Sequence, residues 1–282
     1  MKKCDLHTHS VFSDGTYSPD EIIRSAVDIG LSAVALCDHN TVDGLPSFIA
    51  AAEGKNITAI SGAEFSVDYC GRELHLLGLF IREESFSKVS CLMHDINELK
   101  EISNIQLIES LNKAGYDISY EIIKASTPSG NFNRAHIAAE LTKKGYTESV
   151  KHAFDTLLSP DAGHYMEPKR LSVWEMLDFI RGIGAVSVLA HPFLNLEEKE
   201  LDLFLSKAKN RGLIGMECMY STYDKKTTDT AFELANKYEL LYSGGSDFHG
   251  LNKPDIALGV GNGSLKIPLE WAEKLSKATT SI

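Results

Sequence analysis

The chain opens Lys3-Cys4-Asp5-Leu6-His7-Thr8-His9, passes through Ser18-Pro19 to Gly30, and continues as Ala33-Val34-Ala35-Leu36-Cys37-Asp38-His39. Residues 3–6 read as a short strand and 33–37 as a strand by their apolar run, and histidine follows each within two positions, at His7 and His39. Between them, residues 19–30 read as a helix: Ser18 is placed to cap it, Pro19 suits its first turn and Gly30 ends it. Strand, helix, strand in so short a span implies parallel neighbours with the helix outside.

Working outward, residues 45–53 read as a helix and 57–61 and 74–80 as strands. The rhythm then breaks. Residues 81–114 contain no Gly or Pro, and Phe86, Val89, Met93, Ile96, Leu99, Ile102, Leu107 and Leu111 recur at helical spacing up to Gly115. Helical pieces at 119–125, 134–144 and 148–157 follow, so 83–168 reads as a helical insertion. Alternation resumes with helices at 172–183, 197–211, 225–238 and 268–278, and strands at 185–189, 213–218 and 240–243. A short strand or turn spans 255–261. About seven strands result. Polar clusters after nearly every one favour a barrel whose strands aim their C-terminal ends at one site.

The composition, 43% hydrophobic and 24% charged, excludes a disordered chain, a coiled coil and a disulfide scaffold. A net charge of −11 argues against gripping long nucleic acid but leaves room for a short nucleotide. Of the five cysteines, Cys4, Cys37 and Cys218 sit in apolar runs and read as buried thiols in a reducing compartment. No leader-like start and no run of ~18 apolar residues is present, so the expectation is a cytoplasmic protein without a membrane partner.

Taken singly, the polar signals are weak. His7 and His9 share one face of a strand and can meet one ion. Asp14 reads as a turn aspartate, Asp38-His39 as a cap, Glu64 as a charge just past the third strand, and His75 as a core histidine between Leu74 and Leu76. His191-Pro192 and Ser246-Asp247-Phe248-His249 follow later strands. Together they differ. Six of the ten histidines lie in or just after strands, joined by Asp14, Glu64 and Asp247. Nine N/O donors are too many for one ion and suit two or three. With no cysteine among them, Mn²⁺, Fe²⁺ or Zn²⁺ fits better than a thiolate zinc site.

The segments around His7-Thr8-His9, Ser13-Asp14-Gly15, Cys37-Asp38-His39-Asn40-Thr41, Gly62-Ala63-Glu64, His75-Leu76-Leu77-Gly78, Ala190-His191-Pro192 and Gly245-Ser246-Asp247-Phe248-His249 resemble, in this order, the motifs of the PHP (polymerase and histidinol phosphatase) family of metal-dependent phosphoesterases. The resemblance implies an α/β fold, a distorted (β/α)7 barrel built from residues 1–82 and 169–282, with 83–168 as an inserted helical cap. It also implies a trinuclear site. His7, His9, Glu64 and Asp247 would hold one ion, Asp14, His39 and His249 a second, and Glu64, His75 and His191 a third, with Glu64 bridging.

Within the insertion, Asn131-Phe132-Asn133-Arg134-Ala135-His136-Ile137-Ala138 resembles the cap of a branch that removes the 3′-phosphate of nucleoside 3′,5′-bisphosphates, some members trimming short RNA from its 5′ end. An Arg and a His contact substrate phosphate there, and Arg134 and His136 match them. Ala135 stands where many members have Pro. The expected enzyme is a metal-dependent phosphomonoesterase acting on a small phosphorylated substrate, a nucleotide. A water bridging two ions would become hydroxide and attack phosphorus, His191 would protonate the leaving alkoxide, and Asp247 would orient or deprotonate the water. Three alternatives stand beside it. One is a histidinol-phosphate-type phosphatase, against which the Arg134 segment speaks. Another is an amidohydrolase-like C–N hydrolase, against which the absence of a lysine after the barrel strands speaks. The last is a non-catalytic metal-binding module.

Overall fold

A computed structural model of the chain describes residues 2–126 and 132–279, so Asn131 of the Arg134 segment lies outside the described residues. One sheet contains β1 (Lys3–Thr8), β2 (Ala33–Leu36), β3 (Thr58–Tyr69), β4 (Arg72–Leu79), β5 (Val186–Leu189), β6 (Gly215–Tyr220), β7 (Leu241–Gly245) and β8 (Ile267–Pro268), in the order β7-β6-β5-β4-β3-β2-β1-β8. The helices are α1 (Pro19–Asp28), α2 (Leu45–Ala52), α3 (Phe86–Lys113), α4 (Tyr120–Ala125), α5 (Arg134–Lys143), α6 (Val150–Asp155), α7 (Val173–Gly182), α8 (Glu198–Ala208), α9 (Lys225–Lys237) and α10 (Leu269–Ala278). Ser18 caps α1 in a reciprocal arrangement with Glu21, and Ser172 does the same for α7 with Glu175.

The sheet curls into a nearly closed barrel. At the upper rim the chain beyond β7 reaches β1: Asp247 N donates to His7 O (2.9 Å) and His9 N to Phe248 O (2.9 Å). At the lower rim β8 pairs antiparallel with Lys3 and Cys4. This closure requires glycine at 245, where a Cβ would stand 2.3 Å from the His7 Cβ.

Two expectations from sequence need correction. The strands are not all parallel: β3 and β4 form an antiparallel hairpin, and β4 also runs antiparallel to β5. The hairpin turns at Cys70 and Gly71, both with positive φ (54° and 80°), the backbone that matches strand twist in a tight turn. Glu64 also lies inside β3 rather than beyond it. Gly62 reads as a strand end in sequence. In the fold it admits a close approach, because a Cβ there would lie 3.0 Å from both Cys37 Sγ and Leu36 O. The reversal of β4 brings its first half, with His75, to the end where the parallel strands finish. The count of strands is eight among the described residues, the additional one being the two-residue β8.

Three apolar clusters organise the molecule. The largest lies between strands and outer helices and includes Leu36, Phe65, Phe48, Ile180 and Phe204. A second holds the alternate strand positions, Cys37, Ile60, Leu77, Leu79, Val186 and Val188, with Ala272 and Leu275 of α10. By the two-residue strand period this is the face that carries His39, Glu64 and His75, so it forms the floor beneath them. The third, made by Leu107, Leu111, Phe132, Ile137, Leu141 and Tyr165 among others, belongs to the helical segment alone. α3 enters two of them: Val89 and Met93 join the first and Leu107, Ile108 and Leu111 the third.

Candidate metal centre

Glu64 stands at the middle of the upper rim, buried. Its Oε1 lies 2.8 Å from His75 Nδ1 and 2.9 Å from His191 Nε2. Its Oε2 lies 3.3 Å from both His7 Nε2 and His9 Nε2 and 3.2 Å from His39 Nδ1. Beside it, Asp247 Oδ1 is 3.1 Å from His9 Nε2 and 3.7 Å from His7 Nε2. Asp14 Oδ1 is 3.2 Å from His249 Nε2, and its Oδ2 is 3.7 Å from His39 Nε2. All nine donors singled out in the sequence thus converge on one rim.

The donor set fits divalent ions on its own chemistry. His39 Nδ1 and Glu64 Oε2 are buried without a hydrogen-bond partner among the described residues. His7 Nε2 and His9 Nε2 face each other at 3.0 Å, an arrangement that a shared cation or a single N–H···N hydrogen bond satisfies. Burial pushes the His39 imidazole down to about 3, outweighing the pull of Glu64 and Asp14, so it is the neutral ligand form. For Glu64 burial acts the other way, yet His39, His75 and His7 hold its carboxyl well below the usual range. Clusters of ligand geometry recur as His9–Asp14–His39–His249, His7–His9–Glu64 and His39–Glu64–His75.

A supporting layer escaped the sequence reading. Glu217, fully buried in β6, takes His7 Nδ1 on one oxygen (3.1 Å) and the His191 backbone N–H on the other (2.7 Å). His191 has a positive φ of 28°, so this bond pins a strained backbone. A lone glutamate inside the run Gly215–Tyr220 was the available signal. Asp38 accepts from Ser10 N, Ser10 Oγ and Ser13 Oγ, and so fixes the loop carrying Asp14. Lys253 is a further residue of this layer: it donates to Asp247 Oδ2 (2.6 Å), which also accepts from Tyr220 (2.7 Å). It sits eight positions past β7, outside any local strand-end pattern.

A cavity of about 230 Å³ adjoins the centre, and its lining includes Asp14, His39 and His75 as well as Lys100, Arg134 and Arg170. Arg134 opens α5, donates to Glu73 Oε2 (3.1 Å) and stacks 4.1 Å above the Tyr165 ring. Arg170 donates to the same Glu73 oxygen (2.8 Å). His136 caps α5 instead: its Nδ1 accepts the Asn133 N–H (3.2 Å).

The PHP domain profile matches residues 5–169 of the chain. A 5′-3′ exoribonuclease of Haemophilus influenzae is 30% identical over 88% of this chain and 90% of its own. A 3′,5′-nucleoside bisphosphate phosphatase of Chromobacterium violaceum is 26% identical over 88% of each. Among solved structures, a protein of Bifidobacterium adolescentis described as a metal-dependent phosphoesterase superposes with a TM-score of 0.85 at 25% identity, covering 97% of this chain and 95% of that one. With the profile spanning more than half its length, and a rim of imidazoles and carboxylates built for divalent ions, the chain belongs to the PHP family and is an enzyme of metal-dependent phosphoester hydrolysis.

Proposed function

We propose that this enzyme removes the 3′-phosphate of a nucleoside 3′,5′-bisphosphate or a related short nucleotide. The observation that carries this reading is one cavity beside the metal centre lined both by the ligand-type residues Asp14, His39 and His75 and by the guanidinium groups of Arg134 and Arg170, as a substrate with two phosphates needs. In this reading residues 83–168 are a cap over the barrel. His7, His9, Glu64 and Asp247 hold one ion, Asp14, His39 and His249 a second, and Glu64, His75 and His191 a third. Bound Mn²⁺, Fe²⁺ or Zn²⁺ supplies an activated water and neutralises charge on the phosphoryl oxygens. Lys253 and Tyr220 both donate to Asp247 Oδ2 and fix the carboxylate in place, where it orients or deprotonates the attacking water. His191, pinned by Glu217, either completes the third ion's ligand set or, with its ring nitrogen free of metal, gives the proton to the leaving alkoxide. Arg134 takes the second phosphate, and His136 fixes the start of the helix that carries it.

The test is phosphate release with Mn²⁺ from adenosine 3′,5′-bisphosphate, a short 5′-phosphorylated RNA, histidinol phosphate and an aryl phosphate. The bisphosphate should give the highest kcat/KM. Histidinol phosphate as the best substrate would overturn the reading.

A further inference from the structure

α3 lines the cavity with a stripe at four-residue spacing, Ile96, Lys100 and Asn104. Two of the three have an evident task. Ile96 packs against the main apolar cluster, and Asn104 Nδ2 donates to Phe132 O (3.2 Å). Lys100 is different. It has no hydrogen bond or ion pair among the described residues, although two carboxylates, Glu73 and Asp14, share its cavity. Glu73 is engaged by Arg134, Arg170 and His75, and Asp14 by His249 and His39. The two guanidinium groups are likewise occupied, by Glu73 and, for Arg170, also by Glu167. Lys100 therefore brings three N–H donors, uncommitted among the described residues, to the cavity that Asp14, Arg134 and Arg170 also line. Lys100 is half-buried, and the partial desolvation of its ammonium lowers its pKa and favours an anion beside it.

We propose that Lys100 is a substrate-binding residue: with Arg134 and Arg170 it forms a subsite for the non-scissile phosphate of a bisphosphorylated substrate. The inference deepens the function proposed above and rests on it for the substrate class. The division of labour follows from the contacts. Arg134 and Arg170 are held rigid by Glu73 and the Tyr165 ring, which gives the subsite its shape. Lys100, on a flexible stem with free donors, follows the phosphate into place. The subsite also explains how a chain of net charge −11 admits a substrate with several negative charges, since the attraction is confined to one cavity.

Lys100→Met, which keeps length and helix propensity but removes charge, tests this against Lys100→Arg. Losing a charge-assisted bond to a phosphate costs about 10- to 100-fold. In Lys100→Met, kcat/KM should fall by that factor for adenosine 3′,5′-bisphosphate and at least ten times less for an aryl phosphate (on the order of one such bond), with partial rescue in Lys100→Arg. Equal losses on both substrates would place Lys100 at the scissile phosphate and overturn the proposal, as would no loss on either. A second measurement separates this failure from failure of the proposed function. Calorimetric binding of inorganic phosphate to the metal-free protein reads the subsite without catalysis. The wild type should bind it and Lys100→Met should bind it at least about 10-fold more weakly; equal binding overturns the Lys100 role whatever the substrate. If binding differs but the bisphosphate is not the preferred substrate, the substrate reading falls and the anion subsite stands.

Discussion

Glu217 Oε1 lies 3.1 Å from His7 Nδ1, both residues fully buried, and so fixes which imidazole nitrogen carries the proton and leaves Nε2 facing the rim. Its other oxygen holds the His191 backbone. A glutamine has one acceptor oxygen and cannot satisfy both donors. Glu217→Gln should therefore weaken metal affinity by about 10- to 100-fold, the usual penalty for losing such a partner. Competition titration with a metal-sensitive dye measures it, alongside the melting temperature. An unchanged affinity would reduce Glu217 to a packing role.

Metal removal should abolish hydrolysis, and Mn²⁺ should restore it. Asp14→Ala and His249→Ala should each lower kcat by at least about 100-fold, more than removal of an outer partner does. Their melting temperatures in the metal-free state should change little, because both side chains sit at the rim rather than in an apolar cluster. Near-native kcat in either variant would remove that residue from the ion-binding set.

Arg134→Ala should lose about 1.5–3 kcal/mol of transition-state binding for a 3′,5′-bisphosphate. That is about 10- to 150-fold in kcat/KM. The ratio of bisphosphate to aryl phosphate activity should drop by a similar factor. Equal losses on both substrates would put Arg134 at the scissile group.

The metal-free protein should be destabilised by alkali. Burial alone would lower the His9 pKa, but Asp247 and Glu64 raise it to about 9. Glu64 and Glu73 raise that of His75 to about 10 in the same way. Both folded values exceed the unfolded value of about 6.5. Their contribution is thus complete below pH ~6.5 and is lost as pH rises through about 9 to 10. Bound ions replace these protons, so the metal-loaded protein should keep its melting temperature across the same range. Melting curves of both forms between pH 6.5 and 10 check this; parallel curves would refute it.

Much of this was legible in the sequence because the signals were local. His7-Thr8-His9 and Asp247-Phe248-His249 each put two donors at two-residue spacing beside a strand, and the structure sets all four on one rim. The hairpin of β3 and β4 was missed because Gly62 mimics a strand end and Cys70-Gly71 lacks the usual Asn-Gly or Asp-Gly signature. Lys253 and Lys100 were missed for a different reason. Each reaches the centre from outside the strands, and only the closed barrel and the lie of α3 bring them there. Glu73 is similar: its neighbours Arg134 and Arg170 are remote in sequence, and no spacing rule links them.

α3 has one foot in each of two apolar clusters, and a continuous helix is stiff. Its 28 residues make a rod of about 42 Å. If it pivots where Met93 is anchored, Leu111 lies about 27 Å along the lever and Lys100 about 10 Å. A tilt of about 5° would swing the far end by about 2 Å and Lys100 by less than half of that. In such a tilt Lys100 would stay beside the rim near the fulcrum and the far end of the rod would take most of the displacement, a leverage set by apolar residues such as Met93 and Leu111.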